Sequence, residues 1–574
     1  MPLPYRCGGT RPVTLRTPFR VVFVCLSGFA IAPAWSQGDP HETDAALASP
    51  QAAVRESALD RLIEEQDRRP ELLPRIVALL GDPDLDVAGK AANALGLMGD
   101  SAFPAIEEAL ASGSPRQRWG ATIALYRSTS DAESFLPQLT RQLSEKDDLL
   151  VLASLGALTR LRERGAAALP ALKALLQREE ADIRWATIET LGAVGPAARA
   201  LLPDIEPFLR DESAELRLVA ADAIRRITPP APTTREQLAA HIAWLTQNVP
   251  RLMRDARVPG VSIAIMQRGE VVWAQGFGLK DARNSAAVTT DTVFEACSMS
   301  KPVLALIAMQ LVQEGRLDLD RPLVDYLGHD YLPDQPEHRR VTARMALTHR
   351  TGFANWRGGY DEMGGPLPLE FAPGSEYTYS GEGMLFLQRA VEAIAGEPLD
   401  RLAQERLFSP LGLAHSSFVW TDAIERDLAS GHREDGEFKE RTRYRKPNAA
   451  YSLYTTPTEY ARLMLTLARP DLLGEHALTG ASVALMLQRQ LRVADGDAVA
   501  RPGAARSVAT YRALGWSLDV TPEGDIVQHS GSNSSGFKSF GQFNPAKGSG
   551  LVIMANGDGG YGLRAAVVEK IGDL

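Results

Sequence analysis

Cysteine is almost missing from this 574-residue sequence, which holds three: Cys7, Cys25 and Cys297. Neither C-x-x-C nor H-E-x-x-H occurs and the nine histidines are scattered, so the sequence supports no metal site and calls for no cofactor. The G-x-S-x-G nucleophile elbow is also missing, which argues against a doubly wound α/β hydrolase. Positive charge is in deficit, 62 Lys and Arg against 71 Asp and Glu, for a net charge of −9. An acidic balance of this kind speaks against nucleic acid or an anionic surface as a partner. The remaining composition, 45% hydrophobic and 23% charged, is that of globular protein. Length on this scale allows two to four domains, at roughly 150 residues each.

Acidic residues are missing altogether from residues 1–36, which carry Arg6, Arg11, Arg16 and Arg20. The apolar run Val21–Ala34 comes next, and it is too short for the roughly 20 residues that span a bilayer. Ala32-Pro33-Ala34 and Ala34-Trp35-Ser36 supply small-residue cleavage sites. A basic stretch, a short apolar stretch and such a site describe a signal peptide over 1–36. The expectation is export to the periplasm or the medium, with no stable membrane span after cleavage. Cys297 is then left without an internal disulfide partner.

The first half repeats itself. Leu62, Leu95, Leu125, Leu158, Leu191 and Ile224 are spaced by 33, 30, 33, 33 and 33 residues. An apolar position precedes most of them (Val54, Val87, Leu150, Ile183, Leu216), and a small or hydroxyl residue lies between (Ala58, Ala91, Ala121, Ser154, Thr187, Ala220). Each copy begins with acidic or serine residues suited to a helix N-terminus and continues with an apolar face. A leucine-rich segment with an early proline stands before it, as at Leu73-Pro74, Leu136-Pro137, Leu169-Pro170 and Leu202-Pro203; proline is tolerated in a first helical turn. Two short helices per repeat predict an all-α solenoid over 45–228, and the pattern resembles HEAT repeats. Such a solenoid is either a docking platform for a protein partner or a spacer or brace for the domain that follows. The run Thr228-Pro229-Pro230-Ala231-Pro232 ends it, because prolines deny the donors a helix needs, and 229–235 reads as a linker.

Beyond the linker, a helix near 235–255 leads to two apolar runs around Arg268-Gly269, a β-hairpin. Four further strand-like segments (ALGWSLDV, GDIVQHSG, FKSFGQFNP, GLVIMANG) and a closing helix (LRAAVVEKIG) end the chain. Between them lies Ser298-Met299-Ser300-Lys301, an S-x-x-K at the start of a helical pattern. Residues three apart share a helix face, so Lys301 stands beside the Ser298 hydroxyl, a weak nucleophile that needs an adjacent base. A second S-x-x-K, Ser535 to Lys538, receives no role. Gly557-Asp558-Gly559-Gly560-Tyr561-Gly562 matches G-x-G-x-x-G, but too little chain remains after it for a dinucleotide fold.

The stretch VFEACSMSKPVLALIAMQLVQEGRLDLDRPLVDYL resembles the nucleophile helix of class C β-lactamases, D-Ala-D-Ala carboxypeptidases and their related esterases. Leu347-Thr348-His349-Arg350-Thr351-Gly352-Phe353, Phe371-Ala372-Pro373-Gly374 followed by Tyr379-Ser380, Pro410-Leu411-Gly412-Leu413 and His529-Ser530-Gly531 are similar to further family segments, in the family's order. The resemblance implies an α+β domain over 236–574, with an antiparallel sheet and a helical subdomain, that hydrolyses an ester or amide through an acyl-enzyme. It implies Ser298 as nucleophile and Lys301 and Tyr379 as base and proton shuttle. The backbone N–H groups of Ser298 and Ser532 would form the oxyanion hole, with His529 and Gly531 lining the site and His529 holding the substrate's carboxylate or carbonyl end. The substrate would be a small molecule or peptidoglycan-like. One departure stands out: where the family usually has Y-x-N, this chain reads Tyr379-Ser380-Gly381, with Glu382 as the adjacent residue able to take over. The lost amide favours an esterase over a β-lactamase or peptidase. It also leaves open a catalytically silent sensor or binding module.

Overall fold

The computed structural model describes residues 40–572 apart from 65–69, 128–131, 230, 333–334, 358–366, 496–508 and 522–523. The expected signal peptide lies outside the described residues. Among those residues, no helix is long and apolar enough to cross a membrane. The chain divides into two units, Met1–Thr228 and Pro229–Leu574.

In the first unit, long helices at Ala52–Glu64, Leu85–Met98, Pro115–Arg127, Asp148–Leu161, Ala181–Val194 and Ala214–Ile227 recur with the sequence period. Shorter helices precede most of them, and Leu73–Leu79, Leu136–Gln142, Leu169–Leu175 and Leu202–Ile205 each carry proline in their first turn. Asp84, Asp147 and Ser213 cap the long helices by accepting backbone N–H groups. The repeating leucines are buried from Leu62 to Leu191, as are the small residues between them. Small side chains there let successive helices approach closely. The pattern fails at both ends: Val54 is 38% exposed and Ile224 is only partly buried. The helical repeat architecture is therefore as the sequence predicts.

The second unit is built on an eight-stranded sheet. Its strands are β1 (Gly260–Gln267), β2 (Glu270–Gly278), β3 (Leu491–Asp495), β4 (Ala509–Arg512), β5 (Ser517–Thr521), β6 (Gly524–Ser532), β7 (Lys538–Asn544) and β8 (Ser549–Ala555). They lie in the order β2-β1-β8-β7-β6-β5-β4-β3, and every neighbouring pair is antiparallel. Successive strand residues face opposite sides. Ile263, Ile265, Leu551 and Ile553 therefore pack with Leu245 and Val249 of the Arg235–Asp255 helix and Leu563 and Val567 of the Gly560–Ile571 helix. Ala264, Met266, Val552, Met554, Leu518 and Val527 face the other way, into the core that holds Val303, Leu304 and Ile307 of the Ser300–Gln313 helix. That helix is buried on nearly every side, and each fully buried Val, Leu or Ile contributes roughly 1.5–3 kcal/mol. The α+β architecture with an antiparallel sheet and a helical region is thus as predicted, and its sheet end is where Ser298 sits.

Candidate active site

Ser298 lies in a one-turn 3₁₀ segment, Cys297–Met299, that runs into the Ser300–Gln313 helix. Cys297 has φ +55°, a conformation L-residues adopt only when their surroundings hold them there. Its thiol is buried, donates to the Glu295 and Phe537 carbonyls, and is held well above the usual thiol range by burial and then by Glu295. A thiol in that state is inert. Ser300 Oγ donates to the Cys297 carbonyl at 2.6 Å and accepts from Leu453 N, and Tyr460 donates to the Met299 carbonyl. The Ser298 turn is therefore fixed from both flanks.

Lys301 is 1% exposed, and its Nζ donates to Ser298 Oγ at 3.1 Å and to the Ala450 carbonyl at 2.7 Å. Among the described residues it forms no ion pair. Its Nζ also stands 4.8 Å from the centre of the Tyr379 ring. Tyr379 is held through its neighbours: Thr378 N donates to the His349 carbonyl and Ser380 N to His349 Nδ1, while the His349 ring lies 4.3 Å from the tyrosine ring. His349 itself has φ +59°, so a strained residue anchors the tyrosine segment. Burial, then Arg512 and Lys301, holds His349 well below the usual imidazole range. It is a neutral positioning group.

Gly531 closes the other side. A Cβ there would meet the Ala296 carbonyl oxygen at 2.4 Å and Ser298 N at 3.0 Å, so only glycine lets the end of β6 press against the Ser298 turn. His529, two residues before it, is buried and lowered to about 3, by desolvation first and then by Lys301 and Arg512. Its Nδ1 bonds the Ser530 carbonyl at 2.8 Å. After Ser532, Asn533 Nδ2 and Ser535 Oγ donate to Glu295 Oε2 at 2.6 and 2.7 Å, and Tyr444 OH joins them at 2.8 Å. Glu295, raised above the usual carboxylate range by burial, thus ties the segment leading to Ser298 to the segment after Ser532.

The structure brings Ser298, Lys301, Tyr379 and Gly531 together, with His529 close enough to be acted on by Lys301 and Ser532 following Gly531 at the end of β6. It also corrects one expectation. Glu382 does not replace the missing amide, because its carboxylate accepts from Arg357 N and Nε and is buried against that guanidinium. The space at Gly381 is taken by Trp356: a Cβ on Gly381 would lie 2.6 Å from the indole edge. Trp356 in turn packs edge-on against Tyr451 at 5.4 Å. The second S-x-x-K is broken up by the fold, since Ser535 turns to Glu295 and Lys538 pairs with Asp558 at 2.8 Å. Three contributors escaped the sequence reading. The Ala450 carbonyl and Trp356 have no motif signal, and Arg512 reaches the site from a strand end.

A serine held against a buried lysine, beside a tyrosine and a glycine-edged strand, is equipped for acyl transfer. The beta-lactamase family profile matches residues 245–572. The chain belongs to the beta-lactamase family. It is a serine hydrolase of that family, preceded by HEAT repeats whose profile matches residues 43–126. Penicillin-binding protein 4 of Amycolatopsis lactamdurans is 27% identical over 346 residues, 55% of this chain and 85% of that protein. A putative D-alanyl-D-alanine carboxypeptidase of Escherichia coli O157:H7 is 28% identical over 210 residues, 32% of this chain and 47% of that one. Esterase EstB of Burkholderia gladioli is 30% identical over 193 residues, 29% of this chain and 49% of the esterase. The chain thus spans about half the length of these last two relatives. Among solved structures, the D-alanine carboxypeptidase AmpC from Burkholderia cenocepacia aligns with TM-score 0.48 and 21% identity, over 59% of this chain and all of that one.

Proposed function

We propose that this beta-lactamase-family domain is an exported esterase-type hydrolase in which Ser298 is acylated. The observation that carries the reading is the 3.1 Å contact between Lys301 Nζ and Ser298 Oγ, made by a buried lysine whose other bond goes to a carbonyl. Lys301, with Tyr379 beside it, takes the serine proton as Oγ attacks the substrate carbonyl. The N–H groups of Ser298 and Ser532 hold the developing oxyanion, a contribution of several kcal/mol where two such donors converge. The bond to the leaving alcohol breaks as that oxygen is protonated through the same pair, and water then releases the acid and restores Ser298.

Relatives bear the names penicillin-binding protein, carboxypeptidase and esterase, so small-molecule or peptidoglycan-like substrates fit the family. Trp356 supports the esterase reading. It fills the place where an amide-binding side chain at 381 would stand, and an amide substrate left unpaired there forfeits roughly 1–3 kcal/mol. Export rests on the arginine-flanked leader, and the repeat unit is the surface for a protein partner or for bracing.

The test is intact-mass spectrometry after treatment with a fluorophosphonate or an activated ester. One adduct is expected, absent in Ser298→Ala. An adduct that persists in that variant moves the nucleophile elsewhere, and a wild-type protein that takes up no reagent is a silent binding module.

A further inference from the structure

Glu295 is fully buried, three residues before Ser298, in the short strand Phe294–Glu295. Its Oε2 accepts from Asn533 Nδ2 at 2.6 Å, Ser535 Oγ at 2.7 Å and Tyr444 OH at 2.8 Å. Its Oε1 is buried without a hydrogen-bond partner among the described residues. Three donors on one oxygen suit the ionised group, which only accepts, and the distances are those of charge-assisted bonds. As a device for stability alone the arrangement is a poor one. A buried carboxylate is costly to desolvate, and an oxygen left unpaired adds to that cost.

The residue joins two segments of the site. Along the main chain it leads through Ala296 and Cys297 to Ser298, and its carbonyl accepts from Ser539 Oγ of β7 at 2.9 Å and from the Cys297 thiol. Its side chain holds Asn533 and Ser535, which follow Ser532 at the end of β6. The two N–H groups proposed to hold the oxyanion, those of Ser298 and Ser532, therefore lie on the two segments that Glu295 links. Those segments meet at Gly531, where no Cβ fits against the Ala296 carbonyl. That contact limits how closely they approach, and the bonds from Asn533 and Ser535 to Glu295 limit how far they part. Two donors act together only where both reach the oxyanion at about 2.7–3.1 Å, so a small change in the gap weakens the pair.

We propose that Glu295 is a positioning residue for acyl transfer, its carboxylate setting the spacing of Ser298 N and Ser532 N. The inference rests on Ser298 as the reacting serine and on the oxyanion donors proposed with it. Glu295 touches neither substrate nor reacting atoms and acts through Asn533 and Ser535.

An oxoester and its thionoester test it: 4-nitrophenyl acetate against O-(4-nitrophenyl) thionoacetate. Sulfur is a weak acceptor, so the thionoester gains little from the two N–H groups. Glu295→Gln keeps the size of the side chain and removes its charge. It should lower kcat for the oxoester by roughly tenfold to a hundredfold, short of the roughly hundredfold to thousandfold lost when a hole donor is deleted outright. KM should change little, because the hole serves the transition state. The thionoester should lose less, so the oxo-to-thiono ratio of kcat/KM falls. Asn533→Ala and Ser535→Ala should move the ratio the same way, and their effects should not add to that of Glu295→Gln, since all act through one set of bonds. These two variants carry the test if Glu295→Gln does not fold. A ratio equal to wild type in the folded variants, with both esters slowed alike or not at all, overturns the proposal. Intact-mass spectrometry with a fluorophosphonate separates the two readings. An adduct that persists in Ser298→Ala overturns both, whereas an adduct confined to Ser298 with an unmoved ratio overturns only the role of Glu295.

Discussion

In the repeat unit, Thr187 Oγ1 donates to the Ile183 carbonyl four residues back, Thr190 does the same to Ala186, and Ser154 bonds both Leu150 O and Gln142 Oε1. In the second unit, Ser298 Oγ receives a hydrogen bond from a lysine instead, in a turn entered through a residue at positive φ. Both regions hold hydroxyl groups in hydrogen bonds, and they differ in where the partner comes from. A hydroxyl satisfied within its own helix is part of the scaffold, and its donor is spent. One that accepts from a buried lysine, next to a residue at positive φ, is the hydroxyl for which acylation is proposed. The same contrast separates the charged residues. The repeats link neighbouring helices by ion pairs such as Lys90–Glu56 and Arg226–Glu189, whereas the site holds Lys301 and Arg512 with no carboxylate against either among the described residues.

The comparison breaks most sharply at Lys301. Lys301→Ala and Tyr379→Phe should each lower the rate of Ser298 acylation by about a hundredfold or more, the scale of lost general-base catalysis. Thr187→Val, which removes a buried hydroxyl from the repeats, should leave that rate unchanged and cost about 1 kcal/mol of repeat stability. Stopped-flow acylation and thermal melting measure the two. Near wild-type acylation in both site variants would show that another group takes the serine proton.

Gly381 sharpens the comparison from the packing side. Gly381→Asn alone collides with the indole of Trp356 and should destabilise the second unit by roughly 1–3 kcal/mol, the usual cost of overpacking. Adding Trp356→Ala should recover stability and raise the amide-to-ester ratio of kcat/KM. If Gly381→Asn by itself gains amide hydrolysis, the tryptophan is not what keeps the amide group out.

The charge contrast has a pH signature. His529 titrates near 6.5 when unfolded and about 3 when folded, so below pH 6.5 the unfolded chain binds the proton that the folded chain refuses. Stability therefore falls as pH falls through that window, by on the order of 1.4 kcal/mol per unit. Relative to His529→Gln, the wild-type second unit should lose stability between pH 6.5 and 4 in chemical denaturation. Using the variant as reference isolates this histidine from Glu295, whose raised value acts in the opposite sense. A constant gap between the two proteins across that range would show that His529 is protonated in the fold.

The legibility of the chain divides along the same line. The repeats were legible because each buried position recurs with its neighbours along the sequence, and only Val54 and Ile224, at the ends, escape the rule. The proximity of Ser298, Lys301 and Tyr379 is legible because S-x-x-K is a local spacing and the tyrosine sits in a family segment. Trp356 against Gly381, the Ala450 carbonyl on Lys301 and Arg512 over Tyr379 were not, because each contact joins segments far apart in sequence. Glu382 misled for a related reason. Adjacency along the chain suggested a substitute for the amide, while the helix that begins at Gly381 turns its side chain to Arg357.

The smallest effect expected is that of removing the repeats. The described site residues all lie beyond Thr228, where the chain divides. Thr234 caps the Arg235–Asp255 helix with a capping box, and the Thr233 carbonyl accepts from buried Gln267 of β1, so the second unit has its own structured beginning. A chain starting near Thr233 retains both features and the helical and sheet layers behind them. It should fold and hydrolyse a small ester at close to the full-length rate, and the full-length protein should show a separate melting transition for the repeats, whose helices contact mainly their neighbours in the array. An insoluble or inactive truncation beside an active full-length protein would mean that the repeats brace the catalytic unit. Equal rates would make them a module for placement or partner choice, to be sought by crosslinking in the envelope.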